Sequence, residues 1–327
     1  MRTARSTAGA ADYSAEDGVA ADVRAGLQAT PKHLPPYLFY DDAGSRLYEK
    51  ITLLPEYYLT RTERTILEKH ADEIVLRASR GPGPLRIIEL GAGSATKTEL
   101  ILRAAQRRQR TCVYVPVDVS RSAIDEAKDR LARTLPEVDV QPHVMPHFEA
   151  FQHLRRAGGP DLVLFIGSSI GNFDDEEAID LLAGVHDALG RRASLLLGTD
   201  LRKSPDVLLR AYDDSAGVTA AFNMNLLERL NRELGGDFDL RAFRHLACWN
   251  EAASRIEMHL QSVVRQTVTL EALAMRVSFE AGETIHTESS VKYDLPRVTR
   301  LLTAAGFQLQ ETFYDADRRF AVHLAWG

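Results

Sequence analysis

The chain has 327 residues, of which 45% are hydrophobic and 26% are charged, a composition typical of a globular protein with a sizeable core. This length suits one large domain or two modest ones. Lys and Arg number 40 against 46 Asp and Glu, and the formal net charge of −6 argues against a protein that coats nucleic acid. The same charge is compatible with a small zwitterionic substrate.

Neither the cysteines nor the apolar runs indicate a secreted or membrane protein. Cys112 and Cys248 lie far apart and neither belongs to a Cys-x-x-Cys pair, which argues against a disulfide framework or a zinc ribbon. No apolar run approaches the roughly 20 residues that span a bilayer, and no apolar h-region follows Arg2 and Arg5. We therefore expect a cytoplasmic protein without a membrane partner.

The first 60 residues combine a polar tip with a tyrosine-rich segment. Residues 1–25 are rich in Ala, Ser and small charged residues, and we expect their tip to be mobile. Pro31, Pro35 and Pro36 then predict an extended segment. The tyrosines of segment 37–58 follow without periodicity. Their rings either pack on the main domain or form a lid whose hydroxyls point into a pocket, and both interpretations stay open at this point.

The next two elements are a helix and a glycine turn. Thr60-x-x-Glu63 matches a capping box and predicts a helix whose buried face runs to Val75. Residues 85–104 then read as a buried strand, a turn holding Gly91 and Gly93, and a helix. Glycine lets backbone N–H groups approach a ligand closely, and the helix turns its partly positive end toward that ligand. The stretch therefore predicts a site for a nucleotide-like ligand.

Four further segments read as buried strands that alternate with helices: 112–117, 138–145, 161–166 and 193–197. This alternation predicts a parallel, doubly wound sheet. Ser120 predicts the cap of the helix that follows the first of these strands.

Between residues 201 and 290 the pattern changes to period-two alternation, seen at 256–260 and 273–279. Such alternation predicts an antiparallel sheet with one solvated face. We interpret this region as a second domain inserted into the first. Residues 291–327 return to the first domain with a helix that Gly306 ends and a terminal hairpin.

Ligands of open α/β sheets bind beyond the carboxyl ends of the strands, where several polar residues are expected here. Asp118 ends the second strand, in a position to bind ribose hydroxyls. Segment 167–172 follows the fourth strand and would lie beside the reacting group, although Asn172 also suits a helix cap before Asp174. Lys97 is a cation near a helix N-terminus, where a ligand carboxylate would be a favourable partner. A surface lysine is the alternative.

A metal site is not expected. His143, His147 and Glu149 have side chains that ligate metals, but they lie on a weak strand and lack a fourth ligand. We therefore predict no metal-binding residue.

Long motifs are dispersed over nearly the whole chain. In order, they are Phe39-Tyr40-Asp41, Gly44-Ser45, Ile51-Thr52-x-Leu54-Pro55-Glu56-Tyr57-Tyr58, Glu89-Leu90-Gly91-x-Gly93 with Lys97, Gly167-Ser168-x-Ile170-Gly171-Asn172, Leu197-Gly198-Thr199-Asp200, Arg210-Ala211-Tyr212-Asp213-Asp214, Ala220-Ala221-Phe222-Asn223, Ile256-Glu257-Met258 and Thr287-Glu288-x-Ser290. The Glu-x-Gly-x-Gly pattern resembles motif I of class I S-adenosylmethionine methyltransferases. The whole set resembles the histidine N-alpha-methyltransferases of ergothioneine biosynthesis.

The resemblance implies an α/β fold: a class I, Rossmann-like methyltransferase sheet with a second α+β domain formed by the N-terminal segment and the insertion. Residues 1–60 would join the substrate domain and 61–200 would form the S-adenosylmethionine-binding core. Residues 201–290 would form the inserted substrate-binding domain, and 291–327 would complete the core.

The resemblance also implies roles for individual residues. S-adenosyl-L-methionine would be held by Gly91, Lys97, Asp118, His147 and Phe148. The substrate α-amino group would be surrounded by the catalytic residues Tyr40, Gly167 and Asn172. The rest of the substrate would be bound by Tyr57, Tyr212, Met258, Glu288, Ser289 and Ser290, with Tyr212 on the carboxylate and Tyr57, Glu288 and Ser290 on the imidazole.

One position departs from the family pattern. The family places an Asp before Phe148 to accept a hydrogen bond from the adenine amino group, and this chain has His147 there. Neutral imidazole can accept one hydrogen bond, whereas imidazolium cannot. Either adenine recognition is altered or another residue serves.

The resemblance implies methylation of the α-amino group of L-histidine, three times, to the trimethyl betaine hercynine. We also expect a monomer that binds no nucleic acid, as the net charge indicates. Methylation of another amino acid or small amine is the alternative within the fold. A nicotinamide-dependent dehydrogenase is disfavoured because Thr96 replaces the third glycine of the dinucleotide fingerprint. A non-catalytic S-adenosylmethionine-binding module is disfavoured by the intact set of substrate residues.

Overall fold

The computed structural model describes residues 15–154 and 158–327, without the side chains of residues 15–17, 147 and 148. Its helices, in chain order, are α1 (Ala15–Gln28), α2 (Asp42–Thr52), α3 (Leu59–Ala78), α4 (Thr98–Gln106), α5 (Arg121–Thr134), α6 (His147–His153), α7 (Asp175–Leu189), α8 (Pro205–Tyr212), α9 (Val218–Leu234) and α10 (Leu295–Ala304). Its strands are β1 (Lys32–His33), β2 (Arg86–Leu90), β3 (Cys112–Asp118), β4 (Val138–Val140), β5 (His143–Val144), β6 (Asp161–Phe165), β7 (Ala193–Asp200), β8 (Phe243–Asn250), β9 (Arg255–Ser262), β10 (Gln266–Leu270), β11 (Met275–Phe279), β12 (Thr284–Val291), β13 (Gln308–Tyr314) and β14 (Phe320–Trp326).

The larger sheet has the strand order β13-β14-β7-β6-β2-β3-β4, and β5 pairs with β3. Its pairs are parallel except those of β14, which runs antiparallel to both β7 and β13. The strand order reverses direction at β2, which lies between β3 and β6. A ligand crevice is expected at the carboxyl ends of the strands at this point. The terminal hairpin and the parallel sheet confirm the predicted class I methyltransferase topology.

The strands of this sheet are buried on both faces because helices cover each side. Along β6, Leu162 and Leu164 point into the core that contains α3 and α4, while Val163 and Phe165 point into the core that contains α7 and α10. Side chains alternate between the two faces of a strand, so a strand between two helix layers must be apolar at every position.

The smaller sheet has the order β1-β12-β9-β8. The strand β12 pairs antiparallel with β9 and parallel with β1, so the N-terminal segment adds an edge strand to this sheet. Residues of β9 alternate between partly exposed and buried along their whole length, as the period-two pattern predicted. The β12 pairing shifts between His286 and Glu288, which marks a β-bulge. The predicted domain limits stay a proposal.

Three local predictions differ from the structure. The strand predicted over 138–145 is broken into β4 and β5 at Pro142, which has no N–H for the ladder. Leu273 lies in a 3-10 turn before β11 rather than in the strand. The part of segment 1–25 that is described belongs to α1, whose Val23 is fully buried, and residues 1–14 lie outside the described residues.

No helix within the described part of the chain is both long and apolar enough to cross a bilayer.

Candidate active site

The glycine turn after β2 faces open space. Gly91 and Gly93 have φ angles of +73° and +49°, which glycine adopts without steric cost. The Gly91 N–H donates to the carbonyl oxygen of Val117 at 2.8 Å, and this bond holds the turn against β3. A Cβ built on Gly93 would meet no atom within 4 Å. The turn therefore has the shape predicted for a ligand cradle.

Asp118 borders this cradle at the end of β3. One oxygen of its carboxylate accepts the Gly93 N–H at 2.8 Å and the other accepts the Ser120 N–H at 2.9 Å. A carboxylate offers about four acceptor sites, so lone pairs remain for a ligand. These lone pairs could accept hydrogen bonds from the ribose hydroxyls of a nucleoside, such as the adenosine part of S-adenosylmethionine. The assignment of Asp118 to the ribose stays a prediction.

Lys97 lies next to the turn and forms an ion pair with Glu63 of α3, whose side chain is fully buried. Burial alone would lower the pKa of Lys97, but Glu63, with smaller effects of Tyr48 and Glu89, raises that pKa above its usual value. Glu63 also accepts the Gly167 N–H, at 2.8 and 2.9 Å to its two oxygens. The protein itself thus gives Lys97 a carboxylate partner, and its contact with a cofactor carboxylate stays a prediction.

The capping box predicted at Thr60 and Glu63 is wrong. The helix α3 begins at Leu59, its N-cap residue is Tyr58, and no side chain caps it. Glu63 instead points toward the carboxyl edge of the large sheet, because the charge of Lys97 and the Gly167 N–H satisfy its buried carboxylate there.

A pocket with about 540 Å³ of empty space, including its mouth, opens between this edge, the small sheet and the N-terminal segment. Eight residues of the predicted set line it: Tyr40, Tyr57, Gly167, Asn172, Tyr212, Met258, Glu288 and Ser290. These residues come from both sheets and from the N-terminal segment. The tertiary fold therefore brings together most of the residues that were predicted to bind the substrate.

Asn172 and Glu288 are neighbours in the lining of this pocket. Burial raises the pKa of Glu288 to about 7, although the charge of Lys292 and the hydrogen bond from Asn172 work in the opposite direction. Asn172 reaches this place because Gly171 allows close contact with β12. A Cβ on Gly171 would lie 3.1 Å from the backbone nitrogen and oxygen of Val291. The cap of α7 is Asp174, so the alternative role of Asn172 as a helix cap is wrong.

Tyr212 and Ser290 form a second polar pair, with 2.7 Å between their hydroxyl oxygens. The ammonium group of Lys292 donates to both oxygens, at 2.8 Å each. Lys292 is only 1% exposed and also lies 2.9 Å from the carboxylate of the fully buried Asp200. Burial alone would lower the pKa of Lys292, but Asp200 and Tyr212 raise it above its usual value.

Asp200 gathers two further groups that the sequence analysis did not assign to the site. The Tyr58 hydroxyl donates to its two oxygens at 2.9 Å each, and Lys203 lies 2.6 Å from one of them. Burial lowers the pKa of Lys203 to about 8, with the attraction of Asp200 opposing that decrease. The one sequence signal for Lys292 was its place between the apolar residues Val291 and Tyr293.

The tyrosine-rich segment packs on α9 and lines the pocket at the same time. The Phe39 and Phe222 rings stack with centroids 4.5 Å apart, and Tyr40 meets the same Phe222 edge-on at 6.0 Å. Tyr57 meets Tyr212 edge-on at 6.4 Å. The interpretation that the rings pack on the main body is therefore confirmed, and the same rings form one wall of the pocket, while the lid stays a prediction.

Among the residues predicted to bind the substrate, Ser289 does not line the pocket. Ser289 faces the other side of β12, where its hydroxyl lies 3.1 Å from the His286 ring, so its assignment to the substrate is wrong. Adjacent residues of a strand point to opposite faces, which separates Ser289 from its neighbour Ser290. His147 and Phe148 lie in the first turn of α6, and their side chains lie outside the described residues.

Among the described side chains, one group has the composition of a metal site: Cys248, Glu257 and His259 on β8 and β9. Arg255 and Asn250 already bond one oxygen of Glu257, at 2.7 and 2.9 Å. The residues named by the sequence, His143 and Glu149, do not belong to this group.

Comparison with known proteins gives matches over almost the whole chain. A family model described as "Histidine-specific methyltransferase, SAM-dependent" matches residues 19–326. A histidine N-alpha-methyltransferase from Mycolicibacterium smegmatis is 42% identical over 97% of this chain and 97% of that protein. A protein of the same name from Mycobacterium tuberculosis is 42% identical over 93% of each chain. Ergothioneine biosynthesis protein 1 from Neurospora crassa is 31% identical over 90% of this chain and 33% of that protein.

Proposed function

This chain belongs to the histidine-specific, S-adenosylmethionine-dependent methyltransferases, and we propose that it methylates the α-amino nitrogen of L-histidine. Three successive transfers would give the trimethyl betaine hercynine, a step in ergothioneine biosynthesis. The names and extents of the relatives support this proposal, and so does the chemistry of the pocket.

The observation that carries the proposal is the placement of Glu288 and Ser290 on one strand, both opening onto one pocket. A neutral imidazole has one N–H donor and one nitrogen acceptor. An ionised Glu288 can accept the N–H, and a hydroxyl at Ser290 can donate to the other nitrogen. The pair therefore matches both edges of a histidine ring, whereas an apolar ring would leave these groups without partners.

Asn172 is suited to orient the amino group. A carboxylate can only accept, so the Asn172 group that faces Glu288 is its NH₂. Its carbonyl oxygen is then available to accept an N–H of the substrate amine. Because this amide is uncharged, it does not favour the ammonium form, which has no lone pair for attack.

The remaining residues exclude water and hold the reactants in place. Bound S-adenosylmethionine supplies a methyl group on a positively charged sulfur, which an unprotonated amine can attack. Burial and nearby acidic groups raise the pKa of Tyr40 well above its usual value, which favours a protonated phenol that can donate a hydrogen bond. Its ring, with Tyr48, Tyr57 and Phe222, walls the pocket and reduces its water content.

A panel assay tests the proposal against the alternative of another amino acid or small amine. The protein is incubated with S-adenosylmethionine and each of the common amino acids, and the masses of the products are measured by mass spectrometry. Histidine is expected to gain one, two and three methyl groups in succession. A clear preference for a different amine would overturn the proposal.

We also propose that the protein acts as a cytoplasmic monomer, without a nucleic acid or membrane partner. The described residues of one chain supply every group of the pocket, and the net charge is −6. Sedimentation equilibrium at micromolar concentration is expected to give the mass of one chain, and a dimer would contradict this part of the proposal.

A further inference from the structure

Lys292 is a buried cation that bonds the hydroxyl groups of Tyr212 and Ser290 in the pocket wall. The function proposed above gives it no role. Its ammonium group has three N–H bonds, and three oxygens receive them: those of Tyr212, Ser290 and Asp200. Because each distance is 2.8 or 2.9 Å, the group is fully satisfied without a ligand.

We propose that Lys292 is a positioning residue that makes the Tyr212–Ser290 pair a hydrogen-bond donor and that attracts the substrate carboxylate. This inference rests on the proposed function, since it assumes an amino-acid substrate in the pocket. Lys292 itself is not among the residues that line the pocket, so it would act on the substrate through Tyr212 and Ser290.

Hydrogen-bond counting supports the first half of the proposal. A lysine ammonium can only donate, so both hydroxyl oxygens accept from Lys292. The two hydroxyls are 2.7 Å apart, and one of them must donate to the other. One hydroxyl proton is then left over. Tyr212 and Ser290 both line the pocket, so this proton goes to one acceptor on the substrate: the carboxylate if Tyr212 keeps it, or the imidazole nitrogen if Ser290 keeps it.

The second half depends on where the charge of Lys292 lies. Lys292 and Lys203 both lie within 3 Å of Asp200, but Lys292 alone of the two also bonds the Tyr212 and Ser290 hydroxyls of the pocket, whereas Lys203 bonds Tyr58. Asp200 and Lys292 are 0% and 1% exposed, so solvent screens this charge weakly. The carboxylate is the one anionic group of a zwitterionic amino acid. Its attraction to this site is therefore transmitted through the hydroxyls that Lys292 polarises.

The backbone holds the lysine firmly. Its own N–H donates to the carbonyl oxygen of Ser254 at 2.7 Å, and the next residue, Tyr293, donates to the carbonyl oxygen of Asp200 at 2.9 Å. The charge thus sits where the end of β12 meets the end of β7, and no rearrangement is needed when a substrate arrives.

Lys203 provides a matched control because it binds the same aspartate but neither Tyr212 nor Ser290. If Lys292 only neutralised Asp200, then Lys292→Met and Lys203→Met would have similar effects. If Lys292 directs the hydroxyls, then only Lys292→Met changes how the substrate is recognised.

The experiment compares histidine with histamine, which lacks the carboxylate. Steady-state kinetics are measured for the wild type, Lys292→Met, Lys203→Met and the double variant Asp200→Asn/Lys292→Met. Lys292→Met is expected to raise the KM for histidine by about 10- to 100-fold, the range for a lost hydrogen bond to a charged group, and to reduce the preference for histidine over histamine by a similar factor. The KM for S-adenosylmethionine should stay within about twofold, and Lys203→Met should change the preference by less than about threefold.

The double variant protects the test against misfolding, because it removes both members of the buried ion pair together. An unchanged histidine-to-histamine preference in a folded variant that lacks Lys292 would overturn the proposal. So would failure of both variants to fold, since Lys292 would then be a stability residue. A wild type that does not methylate histidine would contradict the proposed function instead, and the panel's preferred amino acid and its decarboxylated analogue would then replace the two substrates.

Discussion

The Asp118 carboxylate lies between the glycine turn and the start of α5, next to the predicted site for S-adenosylmethionine. Its oxygens accept the N–H groups of Gly93 and Ser120, so the side chain is fixed before any ligand binds. Asp118→Ala is expected to weaken S-adenosylmethionine binding by about 1.5–3 kcal/mol, the value of a hydrogen bond to a charged group. Calorimetric titration measures it. Asp125→Ala, on the exposed face of α5, is the control, and an equal affinity for both variants would remove Asp118 from the site.

Glu288 is the residue on which substrate choice is expected to depend. Glu288→Ala should reduce kcat/KM for histidine strongly and relax selection toward phenylalanine and tryptophan. An apolar ring leaves the buried carboxylate unpaired, and a site built on such a hydrogen bond can discriminate by about 10⁴-fold. Removing the carboxylate abolishes the cost of binding an apolar ring, and it also removes the hydrogen bond that favours histidine.

The measurement is kcat/KM for histidine, phenylalanine and tryptophan. Glu257→Ala is the matched control, since Glu257 lies on the neighbouring strand opposite Ser289, away from the pocket. A histidine-to-tryptophan ratio that stays the same in Glu288→Ala would falsify the assignment of Glu288 as the specificity residue.

At the scale of elements, α3 and β7 are joined through Glu63, which sits against a glycine. A Cβ on Gly198 would lie 2.1 Å from the nearest Glu63 carboxylate oxygen. Gly198→Ala should therefore push Glu63 away from Lys97 and from the Gly167 N–H. Over-packing costs about 1–3 kcal/mol, and disturbing a buried ion pair adds to that cost.

Chemical denaturation of Gly198→Ala is expected to show this loss of stability, together with weaker binding of S-adenosylmethionine. Gly18→Ala is the control, because a Cβ at Gly18 in α1 meets nothing within 4 Å and alanine is the better helix former. A Gly198→Ala protein as stable as the wild type would contradict the close packing of Glu63 against β7.

The N-terminal segment is attached to the rest of the molecule by specific polar contacts as well as by rings. Asp41 caps α2 and also accepts from Asn225 at 2.9 Å and Arg232 at 2.6 Å, both on α9. These bonds hold the wall that carries Tyr40 against α9. The position of the aromatic wall therefore follows from contacts nearly 200 residues apart in the chain.

At the scale of the whole molecule, two carboxyl groups whose pKa burial raises, Glu89 and Glu288, should make stability depend on pH. Glu89 is 2% exposed beneath the glycine turn, and burial raises its pKa to about 7 although Thr98 and Tyr114 donate hydrogen bonds to it. The folded protein then holds a proton that the unfolded chain has lost between about pH 4.5 and 7, so the free energy of unfolding falls as pH rises through this window.

Glu89→Gln is neutral at every pH and should remove the part of this dependence that comes from Glu89. The pKa difference corresponds to about 3 kcal/mol, so urea unfolding at pH 5 and pH 8 should show a smaller loss of stability in the variant than in the wild type. Glu68→Gln, on the exposed face of α3, should leave the loss unchanged. Equal pH dependence in all three proteins would mean that Glu89 is not a buried, protonated carboxyl group.

The sequence by itself determined the alternation of strands and helices in the large sheet and the class of that sheet. Buried strands such as Asp161–Phe165 are apolar at nearly every position, and the helices between them repeat at 3.6 residues, so local patterns suffice. The glycine turn was equally readable, because the φ angles of Gly91 and Gly93 are a local property. The substrate residues came from a resemblance in long motifs, and not from periodicity.

Only the tertiary structure decided which charged groups meet. Glu63 was read as a cap because its local spacing fits one, but its partners Lys97 and Gly167 lie 34 and 104 residues away in the chain. Lys292 and Asp200 pair across two sheets, and no local pattern encodes such a distance. Periodicity in the sequence indicates which face of a helix or strand is buried. The partner of a buried charge, in contrast, depends on which other elements pack against that charge in the tertiary structure. For this reason the fold was predictable from the sequence, and the polar network around the site was not.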